Sequence, residues 1–132
     1  MAREQYIMQL AALEQEATKF QEQMQMLDQQ ATEIQAIQAS LHELEKSKEK
    51  AIYANIGKNI FVKTEITDKN LLVDVGNKTF LKKSIPDTLN IVEEQLCKIA
   101  DAKGKIIEKL QELQQQMEAI VEQAEKEVEK EE

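Results

Sequence analysis

The chain has 132 residues, so it forms at most one ordinary domain, and with 4% aromatics and no Trp a globular core would have to be almost wholly aliphatic. Charged residues are 32% and apolar residues 42%, a composition that with helical periodicity points to long helices rather than a packed globule. The formal charge of −8 argues against nucleic acid and anionic membrane as partners, because phosphate binding draws on an excess of Lys and Arg.

The opening residues Met1–Gln5 lack an apolar h-region, and no run approaches the roughly 18 apolar residues of a membrane span. The single cysteine, Cys97, excludes an intrachain disulfide framework and fits a reducing compartment. The expectation is a soluble, cytoplasmic protein.

From Tyr6, the positions Leu10, Leu13, Ala17, Phe20, Met24, Leu27, Ala31, Ile34, Gln38 and Leu41 follow the alternating spacing of four and three of a coiled-coil seam. Gln38 is its one polar member. Near the end the stripe shifts to Ile34, Ile37, Leu41 and Leu44, a three-residue step of the kind that overwinds a helix. Residues 1–50 therefore read as a first coiled-coil helix.

Residues 51–84 switch to a period of two. Ala51–Ile56 suggests a short strand before Gly57-Lys58, and Ile60, Val62, Thr64 and Ile66 alternate with Phe61, Lys63 and Glu65 as in a half-buried strand. Thr67–Asn70 is turn chemistry. Leu71, Leu72, Val73, Asp74 and Val75 form another strand, and Gly76-Asn77 supplies a positive-φ turn into Lys78–Lys82, with Phe80 among them. The segment reads as two successive hairpins. Four short strands bury too little to be stable alone, so sheets from several chains are expected to join into a larger sheet or barrel.

Residues 85–132 return to helix, with Pro86 suited to a first turn and Asp87, Glu93 and Glu94 near the positive end of the dipole. The seam is Leu89, Val92, Leu96, Ile99, Lys103, Ile106, Leu110, Leu113, Met117, Ile120 and Ala124, interrupted only by Lys103. Arms of roughly 45 residues would each be about 70 Å long. Their equal length favours an antiparallel two-helix coil, with Phe20 near Met117, over parallel pairing of each arm with another chain. The expected class is α+β, predominantly α: a long antiparallel two-helix coiled coil with two central β-hairpins that join an inter-subunit β-barrel.

This plan resembles the α-class subunits of prefoldin, the archaeal and eukaryotic cytosolic chaperone. Leu71-Leu72-Val73-Asp74-Val75-Gly76 matches the family's V-L-V-D-V-G strand, and Thr79–Lys83 stands where members typically read Y-Y-V-E-K. Ile56-Gly57 and Ile60–Lys63 sit where the family has P-L-G followed by Y-V-K. The chain departs from the pattern in lacking the proline before Gly57 and in carrying Lys82 for the common Glu. The resemblance implies a hexamer of two α-class and four β-class subunits with a double β-barrel platform and six projecting coils. It further implies that unfolded polypeptides are held among the coil tips and passed to a group II chaperonin without ATP or any other cofactor.

At the end carrying the termini, Ile7, Met8 and Ala11 lie beside seam residues Leu10 and Leu13, and Val121 and Val128 accompany Ile120 and Ala124. With Met117, these form the candidate client surface; packing that completes the seam is the competing reading. The acidic run Glu125–Glu132 opposes the helix dipole and should soften this tip, although solubility also accounts for its charge. Candidate assembly residues are Ile60, Phe61, Val62, Ile66, Leu71, Leu72, Val73, Val75, Gly76 and Phe80. Midway, Lys103-Gly104 marks either a bending point or a tolerated weak layer.

His42 and Cys97 each stand alone, which leaves no metal cluster or nucleophile pair within one chain, and Gly57, Gly76 and Gly104 stand singly, which leaves no phosphate-cradling loop. An enzyme is not expected. Two rival readings remain: a related subunit that self-assembles into filaments, and a coiled-coil adaptor between folded partners.

Overall fold

The computed structural model describes residues 2–131. Two helices, α1 (Ala2–Lys46) and α2 (Ile85–Glu131), flank four strands: β1 (Ala51–Gly57), β2 (Ile60–Glu65), β3 (Leu71–Asp74) and β4 (Phe80–Lys83). The chain divides into two units, one of residues 1–31 with 98–132 and one of residues 32–97. Met1 and Glu132, the outer limits of the expected soft tip, lie outside the described residues.

In the first unit the two helices run antiparallel along the expected seam. Ile99, Ile106 and Leu113 are buried, and Leu10, Leu13, Ala17, Phe20, Met24 and Leu27 are half-buried opposite them. Tyr6 bonds to Glu127 and Lys103 pairs with Asp28. Both contacts place Phe20 nearer the level of Leu113 than of Met117, about one helical turn from the register that arm lengths alone suggest. Lys103, the charged seam residue, lays its stem along the interface and carries its ammonium out to Asp28.

In the second unit Leu41, Ile85 and Val92 form the core, with Ile34, Leu44, Leu71, Leu89 and Leu96 packed against it. Gln38 keeps its seam position, half-buried, and Ile37 is 51% exposed. The three-residue step therefore falls between Leu41 and Leu44, not at Ile37. Ser84 caps α2: its Oγ accepts the Asp87 N–H at 3.2 Å, and its carbonyl accepts the Thr88 N–H and hydroxyl at 3.0 and 2.9 Å. Pro86 is the second helical residue, within the first turn as expected.

The four strands make two separate antiparallel hairpins, β1–β2 and β3–β4. Their turns share one construction. Asn55 Oδ1 accepts the Gly57 N–H at 2.8 Å and Asp74 Oδ1 accepts the Gly76 N–H at 2.9 Å, so a carboxamide and a carboxylate play the same role two residues before each glycine. Lys58 and Asn59 follow at φ 49° and 62°, and Asn77 and Lys78 at 52° and 59°. Positive φ at both central positions is that of a type I′ turn, whose twist matches the strands. Gly76 and Asn77 stand in the turn as expected, but the turn also takes residues expected in strands: Val75 lies beyond β3, and Lys78 and Thr79 precede β4. The Val75 N–H still reaches the Thr79 carbonyl at 2.9 Å. Ile66 likewise lies just beyond β2, though its N–H bonds to the Lys50 carbonyl at 2.6 Å.

The linker between hairpins is tied down by its polar residues. Asp68 Oδ1 accepts the Asn70 N–H at 2.9 Å, its other oxygen meets Lys82 at 2.7 Å, and Lys69 Nζ donates to the Ser47 carbonyl at 2.8 Å beyond the end of α1.

The same substitution is expected to have opposite signs at two glycines. Gly76, at φ 122°, has open space where a Cβ would stand, so Gly76→Ala meets conformational strain alone and costs about 1–2 kcal/mol. Gly104 is helical with equally open space, so Gly104→Ala stabilises by about 1 kcal/mol. Urea unfolding followed by circular dichroism measures both.

Candidate assembly and client-binding surfaces

Large apolar side chains left exposed are concentrated on the hairpins. Ten of them lie between Ile52 and Leu81. Register explains why. Side chains of directly paired residues share a face, so Ile52–Thr64 and Ala54–Val62 form one face of the first hairpin, and Tyr53–Lys63 and Asn55–Phe61 the other. Ala54 and Thr64 are half-buried, whereas Tyr53 and Phe61 are 68% and 57% exposed.

The second hairpin repeats this arrangement. Leu71–Lys83 and Val73–Leu81 occupy one face, with Leu71 packed on the core, and Leu72–Lys82 and Asp74–Phe80 the other, with Leu72 74% exposed. Each hairpin therefore presents an outer face on which two large apolar groups stand beside a lysine. Among the expected assembly residues, Leu71 and Val73 are half-buried within this chain, as is Ile66 just past the strand. Ile60, Phe61, Val62, Leu72, Val75 and Phe80 are exposed. The expected assembly residues did not include Ile52, Tyr53, Ile56 and Leu81, which are exposed as well.

At the end of the coil, Leu10, Leu13, Met117 and Ile120 are half-buried in the seam. Ile7, Met8, Val121 and Val128 are exposed, Met8 most of all. Ile7, Val121 and Val128 each follow a seam residue directly (Tyr6, Ile120 and Glu127), and in an antiparallel pair those positions border the same flank of the coil. The candidate client residues thus separate into a packed set and a free set. Glu127 was not anticipated in the seam. It accepts a hydrogen bond from the Tyr6 hydroxyl, which with burial and the carboxylate charge raises the Tyr6 pKa above the ordinary tyrosine value. On the linker, Lys82 and the Asn70 N–H hold the Asp68 carboxyl below the usual range.

Among the described residues no group of three or more His, Cys, Asp or Glu could hold a metal, and no helix is long and apolar enough to cross a membrane. Cys97 is exposed.

Two long helices joined by two antiparallel hairpins define a mostly helical, coiled-coil fold whose hairpins leave apolar faces uncovered. The sequence profile described as "Prefoldin subunit" matches residues 13–130, and the chain belongs to that family. Such a chain is by description a component of an assembly, in a family of chaperone and structural proteins. A filamentous prefoldin from Methanocaldococcus jannaschii, seen by cryo-electron microscopy, shares its fold at 19% identity and a TM-score of 0.57. That match covers 92% of this chain and 97% of the other. No curated protein matches the sequence.

Because its folded-state pKa is raised, Tyr6 contributes stability that is present below the ordinary tyrosine pKa and lost as pH rises through the raised value, where phenolate would face carboxylate. Ultraviolet titration of a Tyr53→Phe chain, which leaves Tyr6 as the one tyrosine, should show this raised midpoint, and Glu127→Gln should bring it back toward the ordinary value.

Proposed function

We propose that the chain is an α-class prefoldin subunit acting as an ATP-independent holdase in the cytoplasm. Two successive hairpins between the helices support the α-class assignment. On this reading residues 51–84 are the assembly module: two copies of this chain join four β-class subunits, and residues 1–50 and 85–132 form the projecting coils. Unfolded polypeptides bind at the coil ends and are delivered to a group II chaperonin. No enzymatic step is involved.

The observation that carries the reading is the separation of exposed apolar surface into two places with different chemistry. On the hairpins it lies beside open strand edges that can extend a sheet, and burying each such side chain contributes on the order of 2 kcal/mol. At the coil end it consists of four groups standing outside a seam that is already filled. Met8 is an unbranched, adaptable side chain. Four groups bind weakly, so several tethered coils are needed to hold one client.

A second reading is self-assembly into filaments through the same edges, favoured by the shared fold with the filamentous archaeal prefoldin. Native mass spectrometry, alone and with a β-class subunit, separates the two by subunit count.

Replacing Ile7, Met8, Val121 and Val128 together by Ser should abolish most suppression of aggregation of two unrelated denatured proteins. Helicity and assembly should be unchanged, because none of the four fills the seam. Full protection by that variant would sink the client-site assignment.

A further inference from the structure

In the first unit the seam positions from Leu10 to Leu27 on α1 and from Ile99 to Ala124 on α2 are apolar, with Lys103 the one exception. Apolar contact has no direction, and both stripes repeat every seven residues. Sliding one helix by seven residues along the other therefore still lays stripe on stripe. Burial alone is a weak guide to which register the coil adopts.

Two polar pairs make the choice. The Lys103 ammonium meets Asp28, which stands beside seam residue Leu27, and the Tyr6 hydroxyl donates to Glu127 at the outer end of the coil. Stepping along α1 from Asp28 back to Tyr6, and equally far along α2 from Lys103, ends at Glu125, two residues from Glu127. Both pairs thus belong to one register. A slip of one heptad breaks both at once. In one direction Tyr6 comes to Ile120 and Lys103 to Gln21; in the other Glu127 comes to Leu13 and Lys103 to Gln35. Either way a charge is left at the seam without its partner, and the desolvation that pairing offset becomes a cost. A polar group at a seam position fixes register in this manner, at some expense of stability.

We propose that Lys103–Asp28 and Tyr6–Glu127 together form a register lock, and that this lock decides which exposed apolar groups stand side by side at the coil end. The second half rests on the reading of Ile7, Met8, Val121 and Val128 as the client surface. In the seated register Ile7 lies within about one and a half turns of both Val121 and Val128 along the axis. The first slip carries Ile7 about two further turns from Val128, and the second carries it as far from Val121. Only the locked register keeps the three together.

The test uses the full chain with Cys97→Ser and spin labels on Gln29→Cys and Gln115→Cys, two exposed positions offset along the coil. Labelled chain is diluted with unlabelled chain so that distances between copies drop out of the electron–electron resonance signal. The locked chain should give one distance. Lys103→Met with Tyr6→Phe should add a second, shifted by about 5–10 Å, because one heptad is about 10 Å of axial slip. Exchanging the charges on that background, Lys103→Glu and Asp28→Lys with Tyr6→Phe, should bring back the single distance, which apolar packing has no means of doing. A single, unchanged distance in the Lys103→Met, Tyr6→Phe chain overturns the lock. Should that chain lose helicity, Asp28→Asn with Tyr6→Phe leaves every apolar seam residue in place and is read in the same way. Failure of the client reading shows elsewhere: the fourfold Ser variant would then still protect denatured proteins, while its label distance stays that of the locked coil.

Discussion

A two-stranded antiparallel sheet has two open edges, and this chain carries two such sheets in succession between helices that already fill each other's seam. That constraint governs the rest. The helices bury their stripe around Leu41, Ile85 and Val92 in one unit and around Ile99, Ile106 and Leu113 in the other. Leu71 reaches the first of these cores. The outer faces of both hairpins remain uncovered, and their backbone donors and acceptors remain available along the edges.

The hairpins nevertheless hold their shape, because polar contacts fix their ends. An Asx side chain braces each glycine, two left-handed residues close each turn, and the linker is held by Asp68, Lys69 and Lys82. Ser84 then starts α2 immediately after β4. An edge that is ordered before it meets its partner loses less entropy on pairing than a disordered one. Preorganised strands with exposed apolar faces fit the assembly role proposed for them.

The coil end follows a different logic. Its seam is closed as far as the Tyr6–Glu127 contact, so Ile7, Met8, Val121 and Val128 have no packing role comparable with that of Leu10 or Ile120. Acidic residues surround them, as they do along most of both helices, whereas the hairpins are cationic. One chain therefore presents two apolar surfaces of opposite electrostatic setting, in keeping with the two separate roles proposed for them.

Element types and the identity of the seam were legible because they depend on local periodicity: spacings of three and four mark one helical stripe, alternation marks strands, and each seam position is a covered one, even at Gln38 and Lys103. Less legible were features set by a partner residue distant in sequence or by a side chain bonded to backbone. The coil register needed Lys103 to find Asp28, and the strand ends needed Asn55 and Asp74 to brace their glycines. Sequence by itself determined that this is a helix, two hairpins and a helix, and which family it joins. Tertiary structure alone decided which apolar residues remain uncovered, because exposure depends on what packs across from a side chain, and periodicity records only the side to which it points.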